Sequence, residues 1–126
     1  MPEEFVALDL ETTGLNPEVD QITEIGATRF TRDGGEEHFQ TLVNPGRTIP
    51  QEIEELTGIL NADVADAPPF SQVVGELATF IGGRSVVGQN IKFDINFLAK
   101  AGLELPGKSY DTWEIASVLL PRADRL

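Results

Sequence analysis

The sequence predicts an α/β domain built on a mixed sheet flanked by helices: an antiparallel three-stranded meander, then strands parallel to the first. Three observations lead there. Phe5-Val6-Ala7-Leu8-Asp9-Leu10 is a short, almost wholly apolar run, as expected of a central strand covered on both faces. Two more strand-like runs follow it and are joined locally. After Pro50 the apolar residues recur at helical spacing, interrupted only by brief strand-like segments.

In chain order, residues 21–30 and 37–43 read as the second and third strands, joined by Arg32-Asp33-Gly34-Gly35, which has hairpin-turn chemistry. Pro45, Gly46 and Pro50 mark a loop. Residues 51–57 read as a short helix, with Gly58 at its C′ position. The Asp-, Ala- and Pro-rich stretch 61–69 reads as a second loop. A helix follows with Val73, Val74, Leu77, Phe80 and Ile81 on one face, stopped by Gly82-Gly83. Residues 85–88 make a brief strand. Residues 91–101 form a helix with Phe93, Phe97 and Leu98 at helical spacing, ended by Gly102. A last short strand is expected at 109–111 and a last helix at 112–120. Strands reached through helices lie parallel to the first, and such sheets place sites at the carboxyl ends of their strands.

Composition bounds the chemistry. A chain of 126 residues with 40% hydrophobic and 24% charged residues suits one soluble domain, spanning 1–126, with a single core. Without cysteine, the chain has no disulfides, thiolate nucleophile or cysteine-bound zinc. The acidic start Met1-Pro2-Glu3-Glu4 lacks the basic region of a signal peptide, and no apolar run is long enough for a membrane span. An intracellular, cytoplasmic protein without membrane partners is the expectation. The net charge of −12 has two readings: a solvated surface, or carboxylates gathered around divalent cations that then face phosphate. It argues against tight sequence-independent nucleic-acid binding by this stretch alone.

Two segments carry chemistry. In Asp9-Leu10-Glu11-Thr12-Thr13-Gly14, positions i and i+2 of a strand point the same way, so Asp9 and Glu11 present paired carboxylates. Two close like charges call for a cation or a raised pKa, and hard oxygen donors suit magnesium or manganese. Two solvated carboxylates at a strand end are the bland alternative. The preceding apolar run and the following Thr-Thr-Gly favour a site. In Val86-Val87-Gly88-Gln89-Asn90-Ile91-Lys92-Phe93-Asp94, a strand turns into a helix whose first turns hold Asp94. There it serves either the helix dipole or, as a third carboxylate, the pair on the first strand. Asn90 is a helix cap on the simplest reading. Asp111 reads as an N-cap, with Glu114 closing a capping box.

Together these segments resemble the first and second motifs of the DEDD superfamily of 3′–5′ exonucleases, DnaQ-like in type, which has a ribonuclease H-like fold. Asp9 and Glu11 match the first two acidic positions and Asp94 the third. Gln21-Ile22-Thr23-Glu24-Ile25-Gly26-Ala27, Ile49-Pro50, Leu56-Thr57-Gly58-Ile59 and Tyr110-Asp111-Thr112 are also similar to family segments, so the resemblance runs along nearly the whole chain. It implies a hydrolase with two Mg²⁺ (or Mn²⁺) ions and Asp9, Glu11 and Asp94 as ligands. The 3′ end of single-stranded nucleic acid would be held by Thr12, Thr13, Gly14, Leu15, Thr57, Gly58 and Asn90. Leu15 would pack on the terminal base. A helicase or polymerase region, in the same or another chain, is the implied partner.

The sequence departs from the family in two places. Gln89 stands where many relatives have histidine. The third motif, a His or Tyr shortly before a final Asp, has no counterpart: His38 lies in an early strand with Val43 at the matching offset, Tyr110 leads to Glu114, and Asp124 has no partner before it. The expectation is a C-terminally truncated domain that binds metal weakly, cleaves poorly and leaves apolar sheet surface uncovered. Two rivals follow: a non-catalytic binding or docking module, and a haloacid-dehalogenase-type phosphatase with Asp9 as nucleophile. The latter wants Asp where Glu11 stands.

Overall fold

The computed structural model describes residues 4–112. Its centre is β1 (Glu4–Thr12), the middle strand of a five-stranded sheet of order β3-β2-β1-β4-β5. The strands β2 (Ile22–Thr31) and β3 (Glu36–Leu42) complete the antiparallel meander. The strands β4 (Ser85–Gly88) and β5 (Ser109–Asp111) run parallel to β1 and to each other. This is the mixed sheet that the sequence predicts. The hairpin between β2 and β3 turns at Gly34, whose φ of 101° a side chain would strain.

One face of β1 builds the core. Val6, Leu8 and Leu10 pack with Ile25 and Ala27 of β2 and with two helices, α3 (Phe70–Ile81) and α4 (Ile91–Lys100). From α3 come Val73, Leu77 and Ile81; from α4 come Ile91, Phe97 and Leu98. Phe97 is 2% exposed and belongs to this core, as its spacing predicts.

A second, smaller cluster of Ile49, Ile59 and Val64 holds α1 (Gln51–Thr57) and α2 (Asn61–Val64). The predicted α1 and its left-handed Gly58, at φ 78°, are both present. The loop expected at 61–69 instead begins with α2. The Asp63 carboxylate accepts the Leu60 amide (2.8 Å), while Asn61 exchanges hydrogen bonds with the Ile49 backbone (2.7 and 3.0 Å). A single turn has too few apolar positions to show a period, so these polar anchors, and not a pattern, make the helix. The helix expected at 112–120 lies outside the described residues beyond Thr112, as do Glu114 and Asp124. Among the described residues no helix is long and apolar enough to cross a membrane.

The short overlap of β4 with β1 positions the site. The two strands pair only from Phe5↔Ser85 to Ala7↔Val87. Past Ala7, no strand among the described residues pairs with the flank of β1 that faces β4. There β4 ends at Gly88, pressed so closely on β1 that an added Cβ would stand 2.6 Å from the Leu8 carbonyl oxygen.

Candidate active site

The chain turns after Gly88 through Asn90, which takes the left-handed conformation (φ 55°, ψ 48°) and starts α4. The Asn90 side chain makes no capping bond, contrary to the simplest sequence reading. Its backbone amide donates instead to the Asp111 carboxylate at the end of β5 (2.8 Å). A short polar residue tolerates this conformation better than most, which accounts for asparagine here. The sharp turn brings the first turns of α4, and Asp94 with them, to the open flank of β1.

Asp94 is buried, only 4% exposed, and its Oδ2 has no hydrogen-bond partner among the described residues. Burial is the main force pushing its pKa up to about 7, with the Asp9 and then the Glu11 charge adding to it. A hydrogen bond with the Leu10 backbone opposes the rise. These influences place Asp94 within electrostatic reach of both carboxylates of β1. Asp9 is exposed and Glu11 half-buried. The Glu11 pKa is also raised, first by burial, then by Asp9 and by Glu24.

Of the sequence-derived acidic residues, the structure thus sets Asp94 within electrostatic reach of Asp9 and Glu11, the pair at the carboxyl end of the central strand. Among the described residues no three acidic or imidazole groups already stand at ligand spacing. The donor set still suits a hard divalent ion: all-oxygen ligands, one buried and orphaned, in a crowd of like charge. Sequence reading missed the part of Glu24, which faces Glu11 across β1 and β2 and whose charge adds to the rise of the Glu11 pKa. The hairpin register could have revealed it, because opposed residues of a meander share a face.

The predicted nucleotide-holding residues lie in two places. Thr12 and Thr13 are buried, and Gly14 and Leu15 follow in a turn where Leu15 is 82% exposed. The Thr13 hydroxyl is committed to Asp20 and Gln21, and its amide to the Gln21 carbonyl. Thr57 spends its hydroxyl at the end of α1, donating to the Ile53 carbonyl (2.9 Å). Among the described residues no hydrogen bond or ion pair joins Thr57 or Gly58 to the three carboxylates. Beside Asp9, an open groove of about 460 Å³ runs over the sheet face opposite α3, past Ala7, Thr28, His38 and Gln40.

Comparison with known proteins bears on the family and the fold. An exonuclease family model (RNase T type) matches residues 6–118. The DNA polymerase III subunit epsilon of Treponema pallidum is 37% identical over 126 residues, covering 96% of this chain and 59% of its own length. The 3′-5′ exonuclease DinG of Bacillus subtilis is 38% identical over 125 residues, covering 94% of this chain and 13% of its own. This chain therefore spans little more than half of the first relative and a small part of the second. Among solved structures, exonuclease X in complex with 5′-overhanging duplex DNA superposes with a TM-score of 0.73 at 28% identity, covering 94% of this chain and 65% of that one. A product-bound exonuclease I shares the fold (TM-score 0.76, 15% identity; 97% and 33% covered).

Proposed function

This chain belongs to the DnaQ-like exonuclease family, and on that premise we propose that residues 1–126 form a single domain that hydrolyses phosphodiester bonds at the 3′ end of DNA or RNA. The observation that supports the proposal is the electrostatic coupling of Asp94 to Asp9 and Glu11 at the end of β1, with the buried Asp94 Oδ2 lacking a hydrogen-bond partner among the described residues. Asp9, Glu11 and Asp94 would hold the divalent cations, Mg²⁺ or Mn²⁺, two in a complete site. Bound there, the ions would polarise the scissile phosphate and lower the pKa of an attacking water.

The protein's own groups do the rest. Asp94 keeps a carboxylate on a packed helix, where it cannot swing away. Asp9 reaches solvent and so the incoming strand. The Thr12–Leu15 turn offers backbone and an exposed leucine to a terminal nucleotide, while Thr57, Gly58 and Asn90 would bound the opposite side. With a net charge of −12, the chain depends on the cations to make phosphate welcome.

The phosphatase alternative finds no support: Glu11 stands where that chemistry needs Asp, and the family match is to exonucleases. We further propose that this stretch cleaves slowly by itself, because its sequence has no His or Tyr followed at family spacing by Asp. Within a longer chain or assembly, a polymerase or helicase region would present the 3′ end, in a cytoplasmic setting. The test is digestion of a 5′-labelled single-stranded oligonucleotide in Mn²⁺. A slow ladder shortening from the 3′ end, lost in Asp9→Asn, supports the proposal. Cleavage that survives Asp9→Asn, or that starts inside the strand, would refute it.

A further inference from the structure

We propose that Asp20 is a positioning residue: its carboxylate sets the shape of the Thr13–Leu15 turn, and through that shape the hold on a 3′-terminal nucleotide. The inference rests on the exonuclease reading above and deepens it. Asp20 lies at the far end of the turn and reaches back beneath it. Oδ1 accepts the Thr13 hydroxyl (3.0 Å) and Oδ2 accepts the Asn16 amide (3.0 Å). The Thr13 oxygen in turn accepts the Gln21 amide (3.1 Å), and the Asp20 amide donates to the Asn16 carbonyl (2.7 Å). One carboxylate thereby closes both ends of the excursion that starts directly after Glu11 and Thr12.

Packing strengthens the case. The Asp20 carboxylate fills the space where a Gly14 side chain would stand, so the turn is moulded on it. Only 15% of the Asp20 side chain is exposed. Two cations then fasten the same turn to separate elements. Arg47, in the segment leading to α1, donates to the Val19 carbonyl and lies 4.0 Å from Asp20 Oδ1. Lys100, at the end of α4, pairs with Glu18 at 3.0 Å. The turn is thus tied to the α1 side and to the helix that bears Asp94. What all this fixes in place is a leucine that is 82% exposed, an arrangement that does nothing for the core. A held, exposed apolar side chain four residues after Glu11 suits contact with a base.

The experiment measures binding of a dye-labelled oligothymidylate to the full 126-residue chain in Ca²⁺, by fluorescence anisotropy, with urea denaturation of each variant as a folding control. Leu15→Ala tests the underlying reading: if it leaves affinity unchanged, the turn does not hold a base and the exonuclease-site reading of it fails. Given an effect there, Asp20→Ala is expected to weaken binding about tenfold, since small misplacements of a positioning group are costly. Asp20→Asn, which keeps one acceptor, should fall between. Thr13→Val, nearly isosteric at a buried position, should match Asp20→Ala, and the double variant should be no worse than either. Asp20→Ala and Thr13→Val that remain folded and bind like the parent, while Leu15→Ala does not, would overturn the proposal. So would additive losses in the double variant.

Discussion

Replacing Asp94 by asparagine is expected to stabilise the protein in chelator and to weaken its binding of Mn²⁺. In the folded chain the Asp94 pKa is pushed up to about 7 from 3.8, first by burial and then by Asp9 and Glu11. The native state therefore keeps a proton that the unfolded chain releases. Stability from this group is complete below 3.8 and is lost as pH rises through about 7. At about 1.4 kcal/mol per pKa unit, the full cost above pH 7 is about 4 kcal/mol. Asparagine avoids the charge but puts an unpartnered N–H near the orphaned Oδ2 position, which returns about 1–3 kcal/mol. A net gain of about 1–3 kcal/mol at pH 8 is expected. The sharper test uses pH, because the cost of the amide does not titrate. Between pH 5 and 8 the advantage of Asp94→Asn over the parent should grow by about 2–3 kcal/mol. Urea denaturation of both proteins in EDTA at each pH measures it. A difference that stays flat with pH would show that Asp94 is not held among like charges in a dry site, and the reasoning would fail.

Other consequences follow from packing. Gly88→Ala should cost about 1–3 kcal/mol in urea denaturation, because its Cβ would stand 2.6 Å from the Leu8 carbonyl and push β4 off β1. Leu77→Ala, fully buried between α3 and the sheet, should cost about 2–5 kcal/mol by the same measurement. Arg29→Met should cost about 1–2 kcal/mol. It removes the hydrogen bond to the Phe80 carbonyl (3.1 Å), the stack over the Phe80 ring and the pair with Glu37. Leu15→Ala should leave stability within about 0.5 kcal/mol, since an exposed side chain buries little, which sets it apart from the core substitutions.

Much of this architecture was legible beforehand, for definite reasons. Phe5 to Leu10 read as a central strand, although only its Val6, Leu8 and Leu10 face joins the core among the described residues, and the turn at Arg32 to Gly35 made its neighbours a meander. Helix periodicity located α3 and α4, and Gly58, Gly82 and Gly102 marked helix ends, each at a positive φ. The pairing of Asp9 with Glu11 followed from strand alternation. Asp94 was ambiguous because one sequence suits both a dipole-favoured surface acid and a buried site carboxylate. Only tertiary packing, with β4 ending short of β1, decides for burial. Asn90 shows the converse: a residue type that favours caps serves a left-handed turn here. Asp20 and Glu24 were passed over because their partners are set by loop closure and hairpin register, which no local period encodes. Asp111 has its acceptor role toward Asn90 for the same reason.

The claim on which the account turns is that Asp9, Glu11 and Asp94 act jointly on a divalent cation. Titration of Mn²⁺ followed by electron paramagnetic resonance, on the parent chain and on Asp9→Asn, Glu11→Gln and Asp94→Asn, addresses it directly. Saturable loss of the free-ion signal with the parent, weakened in all three variants, is the predicted result. Undiminished binding by Asp94→Asn, or binding indifferent to all three changes, would contradict it.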